Sequence, residues 1–514
     1  MDATPPLDHQ AADNALPSFT HQEITRVITG IMLCILLAAL DQTVVVPAVP
    51  AIAADVQGFS HLAWIVSAYL LTSTSAAPIY GKLSDSYGRR PLLMFSIVFF
   101  MLASALCGMA QTLPQLIAAR ALQGIGGGGL MAMAQAVIAD VVAPRERGRY
   151  QGYMAGAWGV ASIAGPIVGG WMTDALSWRW IFWMNIPLGI AAFLLSARAL
   201  RLLKHRRRVA KIDYLGAALM TAAVTAALLL MSWGGTEFPW LSPEVLGMGA
   251  LALVLLGLLV VQQRLASDPL LPPRLFANTA ITAGVAIAFL TTGCMLGGTF
   301  LLPLFFQLTR GLDAAGSGTM IVPFLATSTI GAYNAGQLAR RFGKVKGIMA
   351  GGLLVSALGF AILTVAGATT PTWVVLVAMA IAGAGLGTCG PTAMVLVQNA
   401  AERRDVGAAT GVLLLLRSMG GAFGSTLVGA LLAGEFAAGL LAAGVTQRID
   451  LGAMRDPTGH AAALPPQIAT AAHAALDSGF HLAFGICTAM ALLALVVCAV
   501  MRDLPLQSSE TAKA

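Results

Sequence analysis

Long apolar runs separated by short polar connections make up most of this chain. Each run is close to the roughly 20 residues that cross the hydrocarbon core of a bilayer as an α-helix. The pattern predicts an all-α polytopic membrane protein with fourteen transmembrane helices. We place them at residues 25–49, 62–81, 91–111, 114–140, 148–172, 180–200, 213–233, 245–264, 280–306, 314–336, 346–368, 372–397, 406–433 and 479–501.

The composition agrees with a membrane protein. Hydrophobic residues make up 57% of the chain and charged residues only 10%, whereas soluble domains carry about 25% charged residues. The cysteines all lie in apolar runs and form no C-x-x-C motif, so we expect small core residues and predict neither a disulfide framework nor a metal site. They are Cys34, Cys107, Cys294, Cys389, Cys487 and Cys498.

The basic residues are distributed asymmetrically. If the N-terminus is cytoplasmic and the spans alternate, 24 of the 30 Lys and Arg residues fall on the cytoplasmic side and four outside, while Arg120 and Arg417 fall within spans. Cytoplasmic connections carry such an excess of positive charge. We therefore predict a multi-pass protein of the cytoplasmic (inner) membrane with both termini inside. The net charge of +7 then reflects orientation and not nucleic-acid binding.

A polar motif occurs twice. The stretch Gly81–Arg90 reads GKLSDSYGRR, and a degraded copy at residues 336–344 has Arg340 in place of the acidic Asp85. Two related connections suggest two related halves. The predicted organisation is a cytoplasmic tail (1–23), a six-helix bundle (24–200), a basic linker with two inserted helices (201–277), a second six-helix bundle (278–501) containing a long outer loop (434–478), and a cytoplasmic tail (502–514).

Asp41 is the one carboxylate that we place well inside a span. A charged side chain at the bilayer centre costs roughly 2.5–3.5 kcal/mol on insertion scales, so it must face a cavity, find a partner or carry a proton. Burial favours the neutral form of a carboxyl group and a nearby cation favours the ionised form. Arg120 lies at a similar depth in the fourth span. We expect a switchable Asp41–Arg120 pair that couples to protons, and a purely structural helix link is the alternative.

The first polar motif has its own chemistry. Gly81 and Gly88 are expected to permit a tight reversal. Asp85, close to Arg89 and Arg90, lies on the same side as the start of the thirteenth span. A carboxylate near a helix N-terminus gains about 0.3–1 kcal/mol, so a contact between the two halves is predicted, with plain topology signalling as the alternative.

The fifth span contains Gly165-Pro166-x-x-Gly169-Gly170. Glycines four residues apart let helices approach closely, and Pro166 removes a backbone hydrogen bond and permits a bend. Ordinary tight packing explains the glycines equally well. Other polar or aromatic groups within spans are candidates for the lining of a transport path, where aromatic faces can hold a cation. They are Gln42, Trp64, Tyr69, Gln123, Trp158, Gln307, Tyr333, Asn334 and Arg417, the last of which is either structural or a contact for an anionic substrate.

These motifs resemble those of the major facilitator superfamily, and in particular its fourteen-span drug:proton antiporter branch. The motifs that carry the resemblance, in chain order, are Leu40-Asp41-x-Thr43, residues 81–90, Arg120-x-x-Gln123-Gly124, Gly165-Pro166-x-x-Gly169-Gly170, Trp178–Pro187 and Arg403–Gly411. The resemblance implies that Gly81, Asp85, Gly88, Arg89 and Arg90 form a conformational lock, and that the motif of the fifth span marks an exporter. It also implies proton-driven export of amphipathic, mainly cationic compounds.

Several other functions are disfavoured. The two Gly-Lys pairs continue as Leu83 and Val345, so neither forms the G-K-[ST] of a phosphate-binding loop, and H-E-x-x-H and G-x-S-x-G are absent. We therefore expect neither an enzyme nor a cofactor, with small molecules, protons and membrane lipid as partners and a monomer as the working unit. A selective exporter of one endogenous metabolite, siderophore or antibiotic is the runner-up. An importer, a membrane assembly or receptor protein, and a periplasmic adaptor remain open.

Overall fold

The structure of the chain is a computed structural model that describes residues 20–56, 63–202, 213–234, 238–312, 314–444, 466–501 and 503. Three features expected from the sequence lie wholly or mostly outside these residues: most of the N-terminal tail, the basic cluster Lys204–Lys211, and most of the C-terminal tail. The centre of the loop expected at 434–478 lies outside them as well.

Fourteen helices of at least 15 residues are formed by the described residues. Short turns join most of them. They are α1 (His21–Val56), α2 (Ala63–Tyr87), α3 (Arg89–Met109), α4 (Leu113–Val141), α5 (Pro144–Ala175), α6 (Trp180–Ala199), α7 (Tyr214–Trp233), α8 (Pro243–Leu265), α9 (Thr279–Arg310), α10 (Val322–Phe342), α11 (Lys346–Thr364), α12 (Thr372–Ala400), α13 (Val406–Ala442) and α14 (Pro466–Val500).

Eleven of the described helices are long and apolar enough to cross a membrane. This confirms a multi-pass, all-helical membrane protein. The other three, α2, α5 and α10, coincide with predicted spans but contain more polar residues. These three helices also make the closest contacts between the two halves of the chain, so their polar residues face protein as well as the surroundings.

Local sequence sets the helix boundaries. The Thr112 side chain accepts a hydrogen bond from the backbone N–H of Gln115 at the start of α4, and the Asn278 side chain caps α9 by accepting from Ala280. Such side chains satisfy backbone donors that a helix N-terminus leaves free. At the other end, Gly311 and Gly343 take left-handed conformations after α9 and α10, as glycine does at helix C-termini.

The polar stretch 81–90 is not the loop that its glycines suggested. Helix α2 continues through Tyr87, and only Gly88, with a φ of 95°, separates it from α3. Gly81 lies within α2 and serves close packing, because a Cβ atom there would lie 2.3 Å from the carbonyl oxygen of Gly407. The polar side chains of this stretch are therefore held rigidly on two helix ends.

The hydrophobic core is divided between the two halves. Two clusters are built from helices α1 to α6, and two others from α9 to α14. Helices α7 and α8 pack against each other and, through Met220 and Leu259, against Leu415 of α13 and Ile79 of α2. The segment expected as an outer loop at 434–478 is partly helical, because α13 extends to Ala442 and α14 begins at Pro466.

Candidate functional site

Asp41 lies in the interior of the first bundle, with a fully buried side chain. Its Oδ2 accepts a hydrogen bond from Nη1 of Arg120 at 2.7 Å. Its Oδ1 accepts from Nε2 of Gln123 and from Nδ2 of Asn185, each at 2.8 Å. Three donors from two other helices therefore converge on one carboxylate, and charged hydrogen bonds of this kind are about twice as strong as neutral ones.

The guanidinium of Arg120 is equally well held. Besides Asp41, its Nη1 donates to Oε1 of Gln123 at 2.7 Å, and its Nε donates to the carbonyl oxygen of Ile65 at 3.1 Å. The ring of Tyr69 lies 4.4 Å from the guanidinium carbon. The cation thus has hydrogen bonds in its plane and an aromatic ring on its face, and these contacts tie α4 to α1 and α2.

Two members of this site were not assigned by sequence reasoning. Asn185 was noticed as part of a motif but given no role, and Ser104 was missed. Asn185 donates to both Asp41 and the hydroxyl of Ser104, which in turn donates to the carbonyl oxygen of Phe182 at 2.8 Å. The signal available in the sequence was a polar residue within the apolar sixth span, which rarely occurs without a partner.

A second acidic residue anchors the end of α1 nearest this site. Asp55 accepts hydrogen bonds from Nη1 of Arg179 at 2.6 Å and from the indole of Trp178 at 3.0 Å. These hydrogen bonds, with that of Arg179 the larger influence, lower the pKa of Asp55 below its ordinary value of 3.8. The Trp178–Arg179 motif therefore fastens the start of α6 to the end of α1.

At the opposite end of the helices, Asp85 joins the two halves of the chain. Its carboxylate accepts hydrogen bonds from the backbone N–H groups of Gly407 at 3.2 Å and Ala408 at 3.1 Å, at the start of α13. Arg89 lies 2.6 Å from the same carboxylate, and its Nε donates to Asp140 of α4 at 2.8 Å. Burial raises the pKa of Asp85, and the charge of Arg89 opposes that shift.

The start of α13 is arranged so that Asp85 can bind there. Asp405 precedes the helix but makes no capping bond of its own. Its two oxygens instead accept from Nε and Nη2 of Arg274, both at 2.9 Å. Because Asp405 is occupied elsewhere, the first N–H groups of α13 are available to a carboxylate from the other half.

The second copy of the motif makes a related contact with reversed charges. Arg340, near the end of α10, donates from Nε to Glu146 in the first turn of α5 at 2.9 Å. A Cβ atom on Gly336 would lie 1.9 Å from the carbonyl oxygen of Gly148 in α5. The pairs α2–α13 and α10–α5 are thus packed through glycine at the same end of the molecule, which we call the basic end.

Amide side chains close the space between the halves near the basic end. Nε2 of Gln398 in α12 donates to the carbonyl oxygen of Gln135 in α4 at 3.2 Å and to Thr410 of α13 at 3.3 Å. Gln151 of α5 donates to the Gln135 side chain at 2.7 Å. We call this group of four residues the amide floor, since it joins helices from both bundles.

The Gly165–Gly170 motif packs α5 directly on α1, close to Asp41. A Cβ atom on Gly165 would lie 2.0 Å from the hydroxyl of Thr43, and one on Gly169 would lie 2.4 Å from the carbonyl oxygen of Val44. Pro166 lies inside α5. Gly170 has open space around it, so the close approach does not extend to the last residue of the motif.

The residues expected to line a path divide into separate groups. Tyr69 and Gln123 belong to the Asp41 site, where both are buried in contact with Arg120. Trp64 packs edge-on against Trp233 of α7, and Gln307 donates to Ser317. Tyr333 borders a crevice of about 500 Å³ with Met32 and Tyr153. Gln42 and Trp158 are partly exposed, whereas Asn334, Arg417 and the ring of Tyr333 are exposed.

The chain thus forms two bundles that are joined through α2–α13 and α5–α10, and the first bundle contains a buried ion pair. A family model described as the Major Facilitator Superfamily matches residues 31–425. The chain belongs to this superfamily. It is 38% identical over 410 residues to the multidrug transporter protein MdtP of Bacillus subtilis (strain 168), a match that covers 79% of this chain and 75% of that protein.

A second relative is also a multidrug resistance protein, and solved structures share the fold. The chain is 32% identical over 404 residues to multidrug resistance protein 3 of Bacillus subtilis (strain 168), with 78% of each chain covered. Among solved structures, the proton:xylose symporter XylE bound to 6-bromo-6-deoxy-D-glucose matches with a TM-score of 0.63 and 15% identity, over 96% of this chain and 99% of that one. At that identity the likeness shows the fold alone. The chain is therefore a multi-pass transporter with multidrug efflux relatives.

Proposed function

We propose that this protein is a proton-coupled antiporter that exports amphipathic toxic compounds across the cytoplasmic membrane by alternating access. The single observation that carries the proposal is the Asp41 site. A carboxylate with no exposed surface is held by Arg120, Gln123 and Asn185 at a depth where an unpaired charge is costly. Homology to multidrug transporters supplies the class of cargo.

The proposed architecture has fourteen spans. Helices α2, α5 and α10 count as spans because each is at least 21 residues long and so exceeds the roughly 17 residues needed to cross the core. Helices α7 and α8 are then the two spans inserted between the six-helix bundles. The basic end is cytoplasmic under the positive-inside rule. The contacts of Asp85 and the amide floor at that end support an outward-facing state, in which the path between the bundles is closed on the cytoplasmic side.

Proton loading competes with the three donors on Asp41. The ionised carboxylate accepts all three hydrogen bonds with its full charge, whereas the protonated group accepts them only as a neutral acceptor, so each bond is weaker. Loss of the charge also frees Arg120 from its ion pair, and Arg120 links α4 to α2 through Ile65. A proton entering from outside therefore loosens α1 from α4 and α6, and release of the proton restores these contacts.

The basic end supplies the second requirement of alternating access, which is a contact that breaks when the molecule reopens. Asp85 holds the N-terminus of α13 from the other half of the chain. The bonds are few and lie at one end, so rocking of one bundle against the other breaks them without unfolding either bundle. We propose that they hold the outward-facing state.

Efflux measurements test the proposal. Cells or proteoliposomes loaded with several unrelated amphipathic dyes should lose them when the protein and a proton gradient are present, and a proton uncoupler should stop the loss. Asp41→Asn should abolish gradient-driven efflux while the protein accumulates in the membrane. Full efflux by this variant without a pH gradient and without a membrane voltage contradicts the proposal. Efflux of one compound only would favour the selective exporter.

A further inference from the structure

Two arginines lie deep within the helices, and the structure treats them differently. Arg120 is fully buried and its guanidinium bonds to Asp41, Gln123 and the Ile65 carbonyl. Arg417 of α13 is enclosed by protein on most sides but keeps an exposed surface, and no hydrogen bond, ion pair or charged neighbour among the described residues involves its guanidinium. The charge of Arg120 is therefore neutralised within the fold, whereas the guanidinium of Arg417 can bind a ligand.

The position of Arg417 along α13 places it near mid-membrane. It lies eleven residues after Val406, where α13 begins, which corresponds to ~16 Å along the helix axis. The hydrocarbon core is roughly 30 Å thick. A guanidinium facing lipid at that depth is strongly disfavoured, so an accessible arginine there faces protein or a water-filled cavity.

The neighbours of Arg417 along α13 show on which face of the helix it lies. Residues seven apart share a helix face, so Arg417 lies on the face of Thr410, about two turns above the amide floor that Thr410 forms with Gln398. Farther along α13, Gly421 and Gly424 contact α9, the first helix of the second bundle. The linker helix α7 packs on a different face, at Leu415. Arg417 shares its face with Gly424 as well and yet is exposed, so its guanidinium extends beside α9, on the face of α13 that carries Thr410 of the amide floor.

The chemistry of this position is that of an anion site. A guanidinium presents a planar set of N–H donors that matches a carboxylate, sulfonate or phosphate with two parallel hydrogen bonds. Low-dielectric walls strengthen such contacts. The Asp41 carboxylate does not offset the positive charge, because it is enclosed in the first bundle and paired with Arg120.

We propose that Arg417 is the cargo-binding residue for an acidic group, so that the preferred substrates are amphipathic anions or zwitterions rather than the simple lipophilic cations expected from the sequence. The acidic group binds Arg417 above the amide floor, and the apolar part of the cargo lies against the surrounding helices. This inference deepens the proposed function and rests on it for the direction of transport, but binding itself does not depend on proton coupling.

A matched pair of dyes isolates the acidic group. Rhodamine B carries a free carboxylate, and its ethyl ester has the same ring system without that carboxylate. Binding of each dye to the purified full-length protein is measured by fluorescence anisotropy, and transport is measured in proteoliposomes with an inward proton gradient. The variants are Arg417→Gln, Arg417→Lys and, as a control, Arg264→Gln on the exposed end of α8.

The expected result is a change confined to one dye. Because a hydrogen-bonded charge pair is lost, Arg417→Gln should weaken rhodamine B binding at least about tenfold and leave binding of the ester within about twofold. Arg417→Lys should weaken it less, since the charge remains without the planar donors. Arg264→Gln should change neither dye.

Three outcomes would overturn this inference: no binding of rhodamine B by the unmodified protein, equal binding of the two dyes, or an equal loss of both in Arg417→Gln. Its failure is distinguishable from failure of the proposed function. Arg417-dependent binding with no proton-driven transport contradicts only the antiport mechanism. Uncoupler-sensitive efflux that is indifferent to Arg417 contradicts only the acidic-cargo site.

Discussion

The carboxylate of Asp85 accepts a hydrogen bond from the backbone N–H of Gly407, 322 residues farther along the chain. Asp85 belongs to the first bundle and Gly407 begins a helix of the second. The contact is close enough that a Cβ atom on Gly407 would lie 2.6 Å from the Asp85 oxygen and 2.4 Å from the Gly81 carbonyl oxygen. The two halves are thus joined where neither tolerates extra volume.

Asp85→Asn should shift the protein toward the inward-open state. The amide keeps one acceptor but loses the charge, and a carboxylate at a helix N-terminus is worth about 0.3–1 kcal/mol, which corresponds to a population change of up to about fivefold. Spin labels on cysteines introduced at Tyr87 and Glu402 report the separation at the basic end. The native cysteines are buried, so they compete little for label.

Gly407→Ala should shift the same distance distribution more strongly, because the methyl group has no room. Glu244→Gln, on an exposed residue at the start of α8, is the control and should leave the distribution unchanged. An unchanged separation in both Asp85→Asn and Gly407→Ala would remove the lock from the mechanism.

Arg340→Gln should have a smaller effect than Asp85→Asn. Arg340 and Glu146 form a pair in which the side chains are 46% and 39% exposed, and exposed pairs contribute roughly 0–1 kcal/mol. Asp85, by contrast, is 8% exposed and bonds directly to the backbone. The same spin labels, placed on the ends of α5 and α10, measure the effect. A larger opening in Arg340→Gln than in Asp85→Asn would contradict the ranking.

Neutralising both members of the Asp41–Arg120 pair should cost less stability than neutralising one. Arg120→Gln leaves a buried carboxylate with fewer donors, and breaking a buried pair in this way costs about 3–5 kcal/mol. Asp41→Asn/Arg120→Gln leaves no net charge. Thermal unfolding in detergent should therefore rank the double variant above Arg120→Gln, and additive losses would show that the two side chains are not coupled.

Asn185→Ala should weaken proton-driven efflux and lower the temperature of thermal unfolding. The substitution removes one of the three donors to Asp41, and hydrogen bonds to charged groups contribute about 1.5–3 kcal/mol. Ser104→Ala removes the contacts with Asn185 and with the Phe182 carbonyl but none with Asp41, so its effect on both measurements should be smaller. Unchanged efflux and unchanged unfolding in Asn185→Ala would contradict a role for Asn185 in holding Asp41.

Asp55→Asn should leave the pH dependence of efflux unchanged. Hydrogen bonds from Arg179 and Trp178 hold the pKa of Asp55 below 3.8, so the group is ionised at any pH at which transport is measured. Its stabilising effect is present above its ordinary pKa and is lost only as the pH falls through the lowered value. The variant should lose thermal stability alone, and efflux measured from about pH 5.5 to 8 would reveal any involvement in coupling.

Depth along a helix was enough to predict the contact between Asp41 and Arg120. Asp41 and Arg120 were paired because counting residues from the helix ends gave them similar depths, and the structure brings them to 2.7 Å. Asn185 and Ser104 could not be found in this way, because their approach depends on how α3 and α6 rotate against α1. That rotation is set by packing of the whole bundle and not by local sequence.

The polar residues 81–87 were wrongly expected to form a loop. Residues 81–87 are polar and contain glycine, which usually marks a loop, yet they continue α2. The helix persists because its polar side chains are satisfied by the neighbouring half, as Asp85 is by α13. Tyr69 and Gln123 were expected along a transport path, and in this structure both are buried against Arg120.

The one-residue junction at Gly88 has a mechanical consequence. Because only Gly88 separates them, α2 and α3 are expected to tilt together. Arg89 joins them to α4 through its hydrogen bond to Asp140. A displacement of Asp85 by α13 is thereby transmitted to α2, α3 and α4, and α4 carries Arg120. The junction therefore couples the position of Asp85 to the position of the Asp41 site. A few flexible residues inserted after Gly88 should leave both sites folded but remove the coupling between them.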